Sequence, residues 1–440
     1  MLGGEIIKKV QAKLSLDENF KAIVLSSFST LFAKISGSLF GLLSGIIIAR
    51  NYGAEIIGTV SVLSSSMALI ALFASFGLHV VLLKKIPACR NTGYDNYFAM
   101  IRISFFFTLV LSLILWGAIH FFYPEKFNEY IPLAIIVFVY LKIGLATLRG
   151  FNDVKAYSFF TSAPSLVRFL LLFLVTFHFY HKDFPILLVF VIPLITDVCL
   201  LIYIHIKYSN RSSVVAVKSM RGKKFYRQTL ALGFPFMLTE GMYLLISNVD
   251  IVMLGAMKGK SLAGIYSICT VLIALLSMVY ISIQSFATSK FSLLHSENKE
   301  EELKSLAIKI SKLNFILHLF PSLVLIFFGE IILGELYGKE FVEGYSALVI
   351  LVVAILTRSC CGLSGTLLNM AGHQKVFSLI TLFVVILNVV LNWVLIPLMG
   401  IDGAAISTAV SLIIWGVLPA LVVYFKLGFN MVYIPFMKTR

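Results

Sequence analysis

Charged residues are scarce in this sequence. They make up only 13% of the 440 residues, whereas hydrophobic residues make up 59%. Soluble domains carry about 25% charged residues and are about half apolar, because their surfaces must be hydrated. The deficit of charge therefore argues against an ordinary soluble domain and favours a protein whose surface faces lipid.

Cysteines and catalytic motifs are scarce as well. One of the five cysteines, Cys89, lies in a predicted cytoplasmic loop. The other four fall within apolar runs: Cys199, Cys269, Cys360 and Cys361. Their spacing gives neither a disulfide framework nor a metal site. Because the sequence also has no glycine-rich phosphate loop and no nucleophile elbow, it predicts no cofactor, no metal and no enzymatic activity, including ATP hydrolysis.

Long hydrophobic runs are abundant. Twelve of them are long enough to cross about 30 Å of hydrocarbon, and they predict an all-α polytopic membrane protein of about 12 transmembrane helices. The runs lie at about 22–48, 58–83, 98–122, 131–149, 157–179, 185–206, 230–256, 263–287, 311–333, 344–370, 376–398 and 403–425. Residues 1–20 are amphipathic and lack a signal-peptide cleavage site, so we expect an interfacial helix there.

The distribution of basic residues predicts the orientation of the chain. A net charge of +15 is compatible with a nucleic-acid partner. However, Lys and Arg concentrate in alternate loops and in the tails, most densely at residues 207–227, which is the pattern of the positive-inside rule. We therefore expect both termini and this loop to be cytoplasmic. The positive charge is assigned to topology and to anionic lipid headgroups rather than to nucleic acid.

The two halves of the chain repeat each other. Matched residues fall at the same places in the series of spans: 155–158 with 375–378, and Gly53, Gly58 and Ser61 with Gly259, Gly264 and Ser267. Six spans precede the basic loop and six follow it, so the repeat is parallel. We predict a six-helix lobe with the interfacial helix over 1–206, a cytoplasmic loop over 207–229 and a second six-helix lobe over 230–440. Duplicated bundles are typical of secondary transporters.

Cations inside the spans are candidates for a binding site. A charge at mid-bilayer costs about 2.5 kcal/mol or more unless it faces protein or water. The cations are Lys34, Lys142, Arg168 and Arg358. Lys34 and Arg358 each share a helix face with small and polar residues, which predicts a wet cavity that binds an anionic group. The alternatives are internal salt bridges with acids of the seventh span and, for Lys142, snorkelling to the inner interface.

Three acids also lie within the spans. Glu240 and Asp250 are about three turns apart on the seventh span, and Asp197 lies on the sixth. A carboxylate beside the cavity can couple transport to a gradient by binding a proton or a sodium ion. We predict ion coupling at Glu240 and Asp250, with Asp197 as the next candidate. The alternative is a structural pair with a cavity cation.

Four short segments near predicted helix junctions carry a family resemblance. They are 48–58 (IARNYGAEIIG), 148–150 with Lys155, Asp250 with 264–266, and 395–405 (LIPLMGIDGAA). In this order on twelve spans, they resemble the polysaccharide (O-antigen type) flippases. That family is part of the multidrug/oligosaccharidyl-lipid/polysaccharide exporter superfamily.

The resemblance implies two six-helix lobes around a central cavity that alternates between inward-open and outward-open states. It implies an undecaprenyl-pyrophosphate-linked oligosaccharide as substrate, flipped from the inner to the outer leaflet of a bacterial or archaeal cytoplasmic membrane. Membrane lipids and a glycan polymerase are the implied partners. Arg50 matches a recurring position, so it joins the four cations as a candidate for substrate binding. Its alternative role is a helix-end anchor at the outer interface.

Other functions fit the sequence less well. A multidrug or cation antiporter of the same superfamily shares the two-lobe plan, but the pattern at 50–58 is not typical of it. Flippases of lipid-linked peptidoglycan precursors usually have fourteen spans. A polytopic glycan polymerase or ligase normally carries a large extracellular loop with catalytic residues, whereas the predicted outer loops here are short.

Overall fold

The computed structural model describes residues 18–85, 131–178, 181–209 and 223–433, and a few positions between 106 and 114. The α-helices of these four ranges are α1 Glu18–Ser75, α2 Leu78–Lys85, α3 Ile131–Gly150, α4 Val154–His178, α5 Phe184–Ser209, α6 Lys223–Lys258, α7 Lys260–Ser296, α8 Glu300–Ile332, α9 Tyr345–Cys360, α10 Ser364–Met370, α11 Gln374–Met399 and α12 Ile401–Leu427. A π-helix, Leu333–Tyr337, and a 3₁₀ helix, Lys339–Gly344, join α8 to α9.

These helices match the predicted spans. Within the described residues, eight helical stretches are long and apolar enough to cross a membrane, and α3 and α6 occupy two further predicted positions. The third predicted span, at about 98–122, lies almost entirely outside the described residues. So do most of the predicted interfacial helix over 1–20 and the predicted loop over 207–229. The all-helical, multi-pass fold is confirmed.

Glycines break two long helical stretches in the same way. A straight helix of 58 residues, the length of α1, would extend about 87 Å, far more than the membrane core. Gly53 interrupts it (φ 78°, ψ 177°), and Gly259 separates α6 from α7 (φ 100°, ψ 165°). Residues with a Cβ rarely adopt such positive φ values. The break divides α1 into a first arm, residues 18–52, and a second arm, residues 54–75.

The second arm and α7 cross at matched positions of the repeat. A Cβ added to Gly58 would lie 1.7 Å from a main-chain oxygen of α7, and one added to Gly264 would lie 2.1 Å from a main-chain oxygen of α1. Nearby, Ser61 donates a hydrogen bond to Ser267, 206 residues later in the chain (2.9 Å). Because matched residues of the two halves contact each other, the halves are related by a local two-fold axis, as a parallel repeat requires.

Among the described residues, one buried cluster joins the two lobes, at the turn of α1 at Gly53. It contains side chains of both halves, among them Ile48 and Phe341. Two other clusters each lie within one lobe, one around Ile143 in the N-terminal lobe and one around Phe291 in the C-terminal lobe. Shared apolar burial therefore joins the lobes at the Gly53 end, and toward the other end they meet along α6, where Gly233 abuts Phe76.

The two seams between the lobes differ. Three glycines of α6 abut the second arm or the turn that follows it, with no room for a side chain: Gly255, Gly241 and Gly233. In the other seam, a Cβ on Gly45 of the first arm would lie near Ile268 of α7 (3.8 Å), whereas Gly41, one turn away, is exposed and a Cβ there would meet nothing within 4 Å. The α6 seam is thus packed at all three glycines, whereas the first arm is exposed at Gly41.

Asp153, in the turn before α4, ties the N-terminal lobe together. Its carboxylate accepts hydrogen bonds from Lys207 (2.7 Å), Tyr203 (2.9 Å) and Tyr208 (2.9 Å) of α5. Burial raises the pKa of this carboxyl, but the hydrogen bonds outweigh burial and hold the pKa below its ordinary value. The charged carboxylate therefore fixes the α3–α4 turn to the end of α5.

Candidate functional site

A cavity of about 670 Å³ lies between the lobes. The first arm and α4 line it from the N-terminal lobe, and α6, α7, α9 and α12 line it from the C-terminal lobe. Its polar lining includes Lys34, Ser38, Thr161, Ser165, Asp250, Thr270, Arg358 and Thr408. Two of the predicted cations and one of the predicted acids are thereby brought to one cavity from distant parts of the chain.

Lys34 contributes its charge from the N-terminal lobe. It lies in the first arm, where the side chain is exposed and lines the cavity with Ser38, one turn further along the helix. It makes no ion pair with any side chain that the structure describes. Its charge is therefore available to a ligand.

Arg358 is held by aromatic rings. The centre of its guanidinium lies 4.7 Å from the ring centroid of Tyr280 and 4.6 Å from that of Trp415, distances at which the rings attract the cation. The Trp415 ring is fixed in turn, because its Nε1 donates to Thr381 (3.2 Å). Among the described residues, no carboxylate pairs with Arg358. The rings thus position the cation without neutralising it.

Asp250 lies at the cavity wall but is 98% buried, with only 2% of its surface exposed. One carboxylate oxygen accepts hydrogen bonds from Tyr266 (2.6 Å) and Thr408 (3.1 Å), and the other accepts one from the main-chain N–H of Ile251 (2.9 Å). Its described partners are therefore neutral donors from α6, α7 and α12. The expected alternative, a pair with Lys34 or Arg358, is not formed.

Two amides extend the Asp250 network. Asn388 of α11 donates to Thr408 (3.5 Å), and Asn392 donates to Asn388 (3.1 Å). Both amides are buried, and the side-chain oxygen of Asn392 has no hydrogen-bond partner in the described part of the chain. A carboxylate, a hydroxyl and two amide oxygens lie along one buried chain, and hard cations prefer such oxygen ligands.

Three other predicted residues, Asp197, Arg168 and Lys142, do not line this cavity. Asp197 of α5 is buried, and one carboxylate oxygen has no partner among the described residues. Arg168 of α4 has a buried Nε that likewise lacks a described partner. Lys142 of α3 is half-buried in the N-terminal lobe. Glu240 lies in α6, but its side chain is outside what the structure describes.

Arg50 lies at the joined end of the lobes. It donates hydrogen bonds to the main-chain oxygens of Leu336 (3.1 Å) and Glu335. In the opposite direction, Glu340 accepts a hydrogen bond from the main-chain N–H of Ala54, the first residue of the second arm (2.8 Å). Both contacts satisfy polar groups that helix ends leave free. These two sets of contacts, one made by Arg50 and one by Glu340, together connect the lobes. We call them the Arg50–Glu340 clamp, although the two side chains do not bond to each other.

Sequence reasoning did not single out several residues of the site. Tyr280 and Trp415 beside Arg358 are aromatic residues in apolar spans, which are common in any membrane core. The internal repeat does pair Asn388 with Arg168, and a weak signal existed for Asn392, because the two amides lie one turn apart in an otherwise apolar run. Thr408 lies two turns before Trp415 on α12, so both belong to one helix face.

Sequence comparison identifies related proteins. The family model described as polysaccharide biosynthesis protein matches residues 23–289, and the MatE model matches residues 235–394. A probable low-salt glycan biosynthesis flippase of Haloferax volcanii is 24% identical over 400 residues, covering 90% of this chain and 82% of the relative. A capsular polysaccharide biosynthesis protein of Staphylococcus aureus is 23% identical over 186 residues, covering 42% and 47%.

Solved structures show the same fold. The inward-facing structure of a multidrug resistance transporter of the MATE family superposes with a TM-score of 0.67 at 17% identity, covering 91% of this chain and 98% of the other. The outward-facing structure of a MATE family transporter gives a TM-score of 0.60 at 15% identity, covering 93% and 96%. These structures have 12 helices in two lobes, and the likeness shows that this chain shares that fold.

Proposed function

This chain belongs to the polysaccharide biosynthesis protein family, and we propose that it flips an oligosaccharide linked to undecaprenyl pyrophosphate from the inner to the outer leaflet by alternating access. Neither a glycan nor a pyrophosphate crosses hydrocarbon unaided, since both would lose their hydration. A flippase therefore needs a polar cavity that replaces this hydration and a path for the lipid tail.

One observation carries the proposal: Lys34 and Arg358 line the same inter-lobe cavity, and neither is neutralised by a described carboxylate. A pyrophosphate is a strong acceptor that binds best to fixed cations with several N–H donors. Lys34 offers a mobile ammonium from one lobe and Arg358 offers a planar guanidinium from the other. An anionic headgroup between them would be held by both lobes.

The exposed face of the first arm supports a lipid-linked substrate. A Cβ added to Gly41 would meet nothing within 4 Å, whereas one added to Gly255, Gly241 or Gly233 of α6 would be crowded by the second arm or the turn that follows it. A polyprenyl tail can remain in the membrane beside the first arm while the headgroup enters the cavity. A water-soluble substrate would not need such an exposed face.

The Arg50–Glu340 clamp supports alternating access. With the orientation that the basic residues predict, the clamp closes the outer end of the molecule and the separated cores face the cytoplasm. The structure then represents an inward-facing state, and opening the clamp is a step toward the outward-facing one. Arg50 stays a candidate for substrate binding, but its described contacts support this role as a gate.

Ion coupling is the proposed energy source, since an alternating cycle needs a ligand that binds its two states unequally. Asp250, its partner Thr408, and Asn388 and Asn392 beyond Thr408 supply oxygen atoms from α6, α11 and α12. A proton or a sodium ion bound there would join three helices of the C-terminal lobe. Asp197, buried in the other lobe, is the second candidate.

The proposal predicts a defect in glycan export in cells that lack this protein. Cells without it should accumulate the lipid-linked oligosaccharide inside and display less glycan at the surface, as measured by mass spectrometry of extracted lipids and by lectin binding. The wild-type chain should restore export, whereas a Lys34→Ala/Arg358→Ala variant of equal abundance should not.

Two substitutions serve as matched controls. Lys182→Ala removes an exposed lysine outside the cavity, and Arg149→Ala removes a guanidinium that lies over the Tyr157 ring (5.4 Å) without lining the cavity. Both should restore export. Full export by the Lys34→Ala/Arg358→Ala variant would contradict the proposal.

A further inference from the structure

A second chamber of about 290 Å³ adjoins the main cavity inside the C-terminal lobe. Arg358, Trp415 and Ser277 line both spaces, so the two share a wall. The polar side chains that line only the second chamber are Tyr280, Gln284, Asn314, His318, Ser359, Thr366 and Asn369. None of them is an aspartate, a glutamate, a lysine or an arginine. We call this space the side chamber.

The side chamber has hydrogen-bonding capacity that the protein does not use. Asn314 is fully buried and donates to the main-chain oxygen of Ser359 (3.0 Å), but its own side-chain oxygen has no partner among the described residues. Gln284 donates to Thr366 (2.9 Å) and accepts no described hydrogen bond. A buried polar atom without a partner costs about 1–3 kcal/mol, so a ligand that donates to the Asn314 oxygen is favoured, and the oxygen of the half-buried Gln284 is a second acceptor beside it.

Flat aromatic surfaces form the rest of the wall. The rings of Phe377 and Trp415 lie nearly parallel, 15° apart, with centroids separated by 6.5 Å. The position between Trp415 and Tyr280 is already occupied by the Arg358 guanidinium. An organic cation would compete with Arg358 for the same rings and be repelled by its charge. The side chamber therefore disfavours the cationic drugs that an antiporter would carry.

We infer that the side chamber binds the sugar ring attached directly to the pyrophosphate, an inference that rests on the proposed function. A pyrophosphate bound to Arg358 in the main cavity lies next to the shared wall, so the sugar on that phosphate reaches the side chamber. Its hydroxyls can donate to the oxygens of Gln284 and Asn314 and accept from the Arg358 guanidinium. A polyprenyl tail in the same place would leave the side-chain oxygens of both amides without a donor.

Binding to the purified protein tests this inference. The probes are undecaprenyl pyrophosphate without a sugar and the same lipid bearing one glucose, one galactose or one N-acetylglucosamine, each titrated in detergent by thermophoresis. At least one sugar-bearing lipid should bind about tenfold more tightly than the sugar-free lipid, the equivalent of about 1.4 kcal/mol. In Gln284→Leu and Asn314→Leu variants this preference should fall below about twofold, with the affinity for the sugar-free lipid unchanged.

Ser282→Ala is the matched control, because Ser282 lies on α7 near Gln284 but bonds only to its own helix (2.8 Å to Met278 O) and lines neither space. It should keep the full preference. Melting temperatures identify a variant that has unfolded, and Gln284→Leu decides the test if Asn314→Leu does not fold. The inference would be overturned if the wild type bound none of the three sugar-bearing lipids more tightly than the sugar-free lipid. It would also be overturned if Gln284→Leu kept the wild-type preference. If the sugar-free lipid itself fails to bind, the proposed function is wrong instead.

Discussion

At the scale of single residues, Lys34 and Arg358 supply similar charge in different ways. Lys34 stands on a helix face exposed to the cavity, whereas Arg358 lies between the rings of Tyr280 and Trp415. A guanidinium gives a planar set of donors, which an ammonium does not. The two residues are therefore expected to respond differently to conservative substitution.

Substitution of Arg358 should show this difference. Arg358→Lys keeps the charge but loses the planar donors, so we expect binding of undecaprenyl pyrophosphate to weaken about tenfold, as for one lost hydrogen bond to a charged group. Arg358→Ala should weaken it further, and Lys34→Arg should bind nearly as well as the wild type. Thermophoresis measures all three, with Arg149→Ala as the control. Equal affinity of Arg358→Ala and the wild type would show that Arg358 does not bind the headgroup.

Asp250 is expected to affect coupling rather than substrate binding. Asp250→Asn keeps the shape of the side chain and the bond from Tyr266 but removes the charge that a proton or sodium ion would neutralise. Stimulation of transport by an imposed ion gradient should be lost, with substrate affinity unchanged within about twofold. Asp402→Asn is the control, since Asp402 bonds to Ser346 (2.6 Å) at the start of α12, away from the cavity. If transport by Asp250→Asn still depended fully on the gradient, Asp250 would not be the coupling site, and Asp197 would be the next residue to test.

At the scale of helices, the second arm and α7 cross with main chain against main chain. A Cβ on Gly264 would lie 2.1 Å from a main-chain oxygen, and main chain cannot move aside as a side chain does. We expect Gly264→Ala to lower the stability of the protein by about 1–3 kcal/mol, measured as a lower melting temperature in detergent. Gly41→Ala, with open space around it, should change the melting temperature little. Equal melting temperatures would contradict this account of the crossing.

The Arg50–Glu340 clamp should control the balance between the two states. Glu340→Gln weakens the bond to Ala54 N–H because a neutral amide accepts less strongly than a carboxylate. The Gly53 end should therefore open more often. Spin labels at Lys182 and Glu343, both exposed and in different lobes, report this opening as a population at longer distance. An unchanged distance distribution in Glu340→Gln would show that the clamp does not hold this end closed.

The helices follow from the sequence because apolar runs of membrane length leave few alternatives. The breaks at Gly53 and Gly259 follow from the internal repeat. The surroundings of Arg358 do not, since Tyr280 and Trp415 come from spans that are distant along the chain, and aromatic residues in such spans carry no specific signal. The same holds for Arg50, whose acceptors lie 285 and 286 residues away. Periodicity in the sequence indicates which face of a helix is polar, but the residues that contact this face are known only from the packed structure.

At the scale of the whole molecule, the lobes are related by a local two-fold axis but used unequally. The seam along α6 is packed at three glycines, the first arm is exposed at Gly41, and the buried cluster that joins the lobes in the described residues lies at the Gly53 end. A symmetric pair of lobes would give the substrate two equivalent entrances. In the proposed function, the exposed side gives the lipid tail one entrance and the packed seam serves as the pivot for the movement of the lobes.

Transport by the purified protein is the most direct test of flipping through this cavity. Liposomes containing the protein and a lipid-linked oligosaccharide are prepared with the glycan facing inward, and its appearance outside is followed by cleavage with an added glycosidase, with and without an imposed ion gradient. The wild type should expose glycan faster than protein-free liposomes, and faster still with the gradient. The Lys34→Ala/Arg358→Ala variant should be as slow as protein-free liposomes, whereas Lys182→Ala should match the wild type. A wild type no faster than protein-free liposomes, or an equally fast Lys34→Ala/Arg358→Ala variant, would contradict the account.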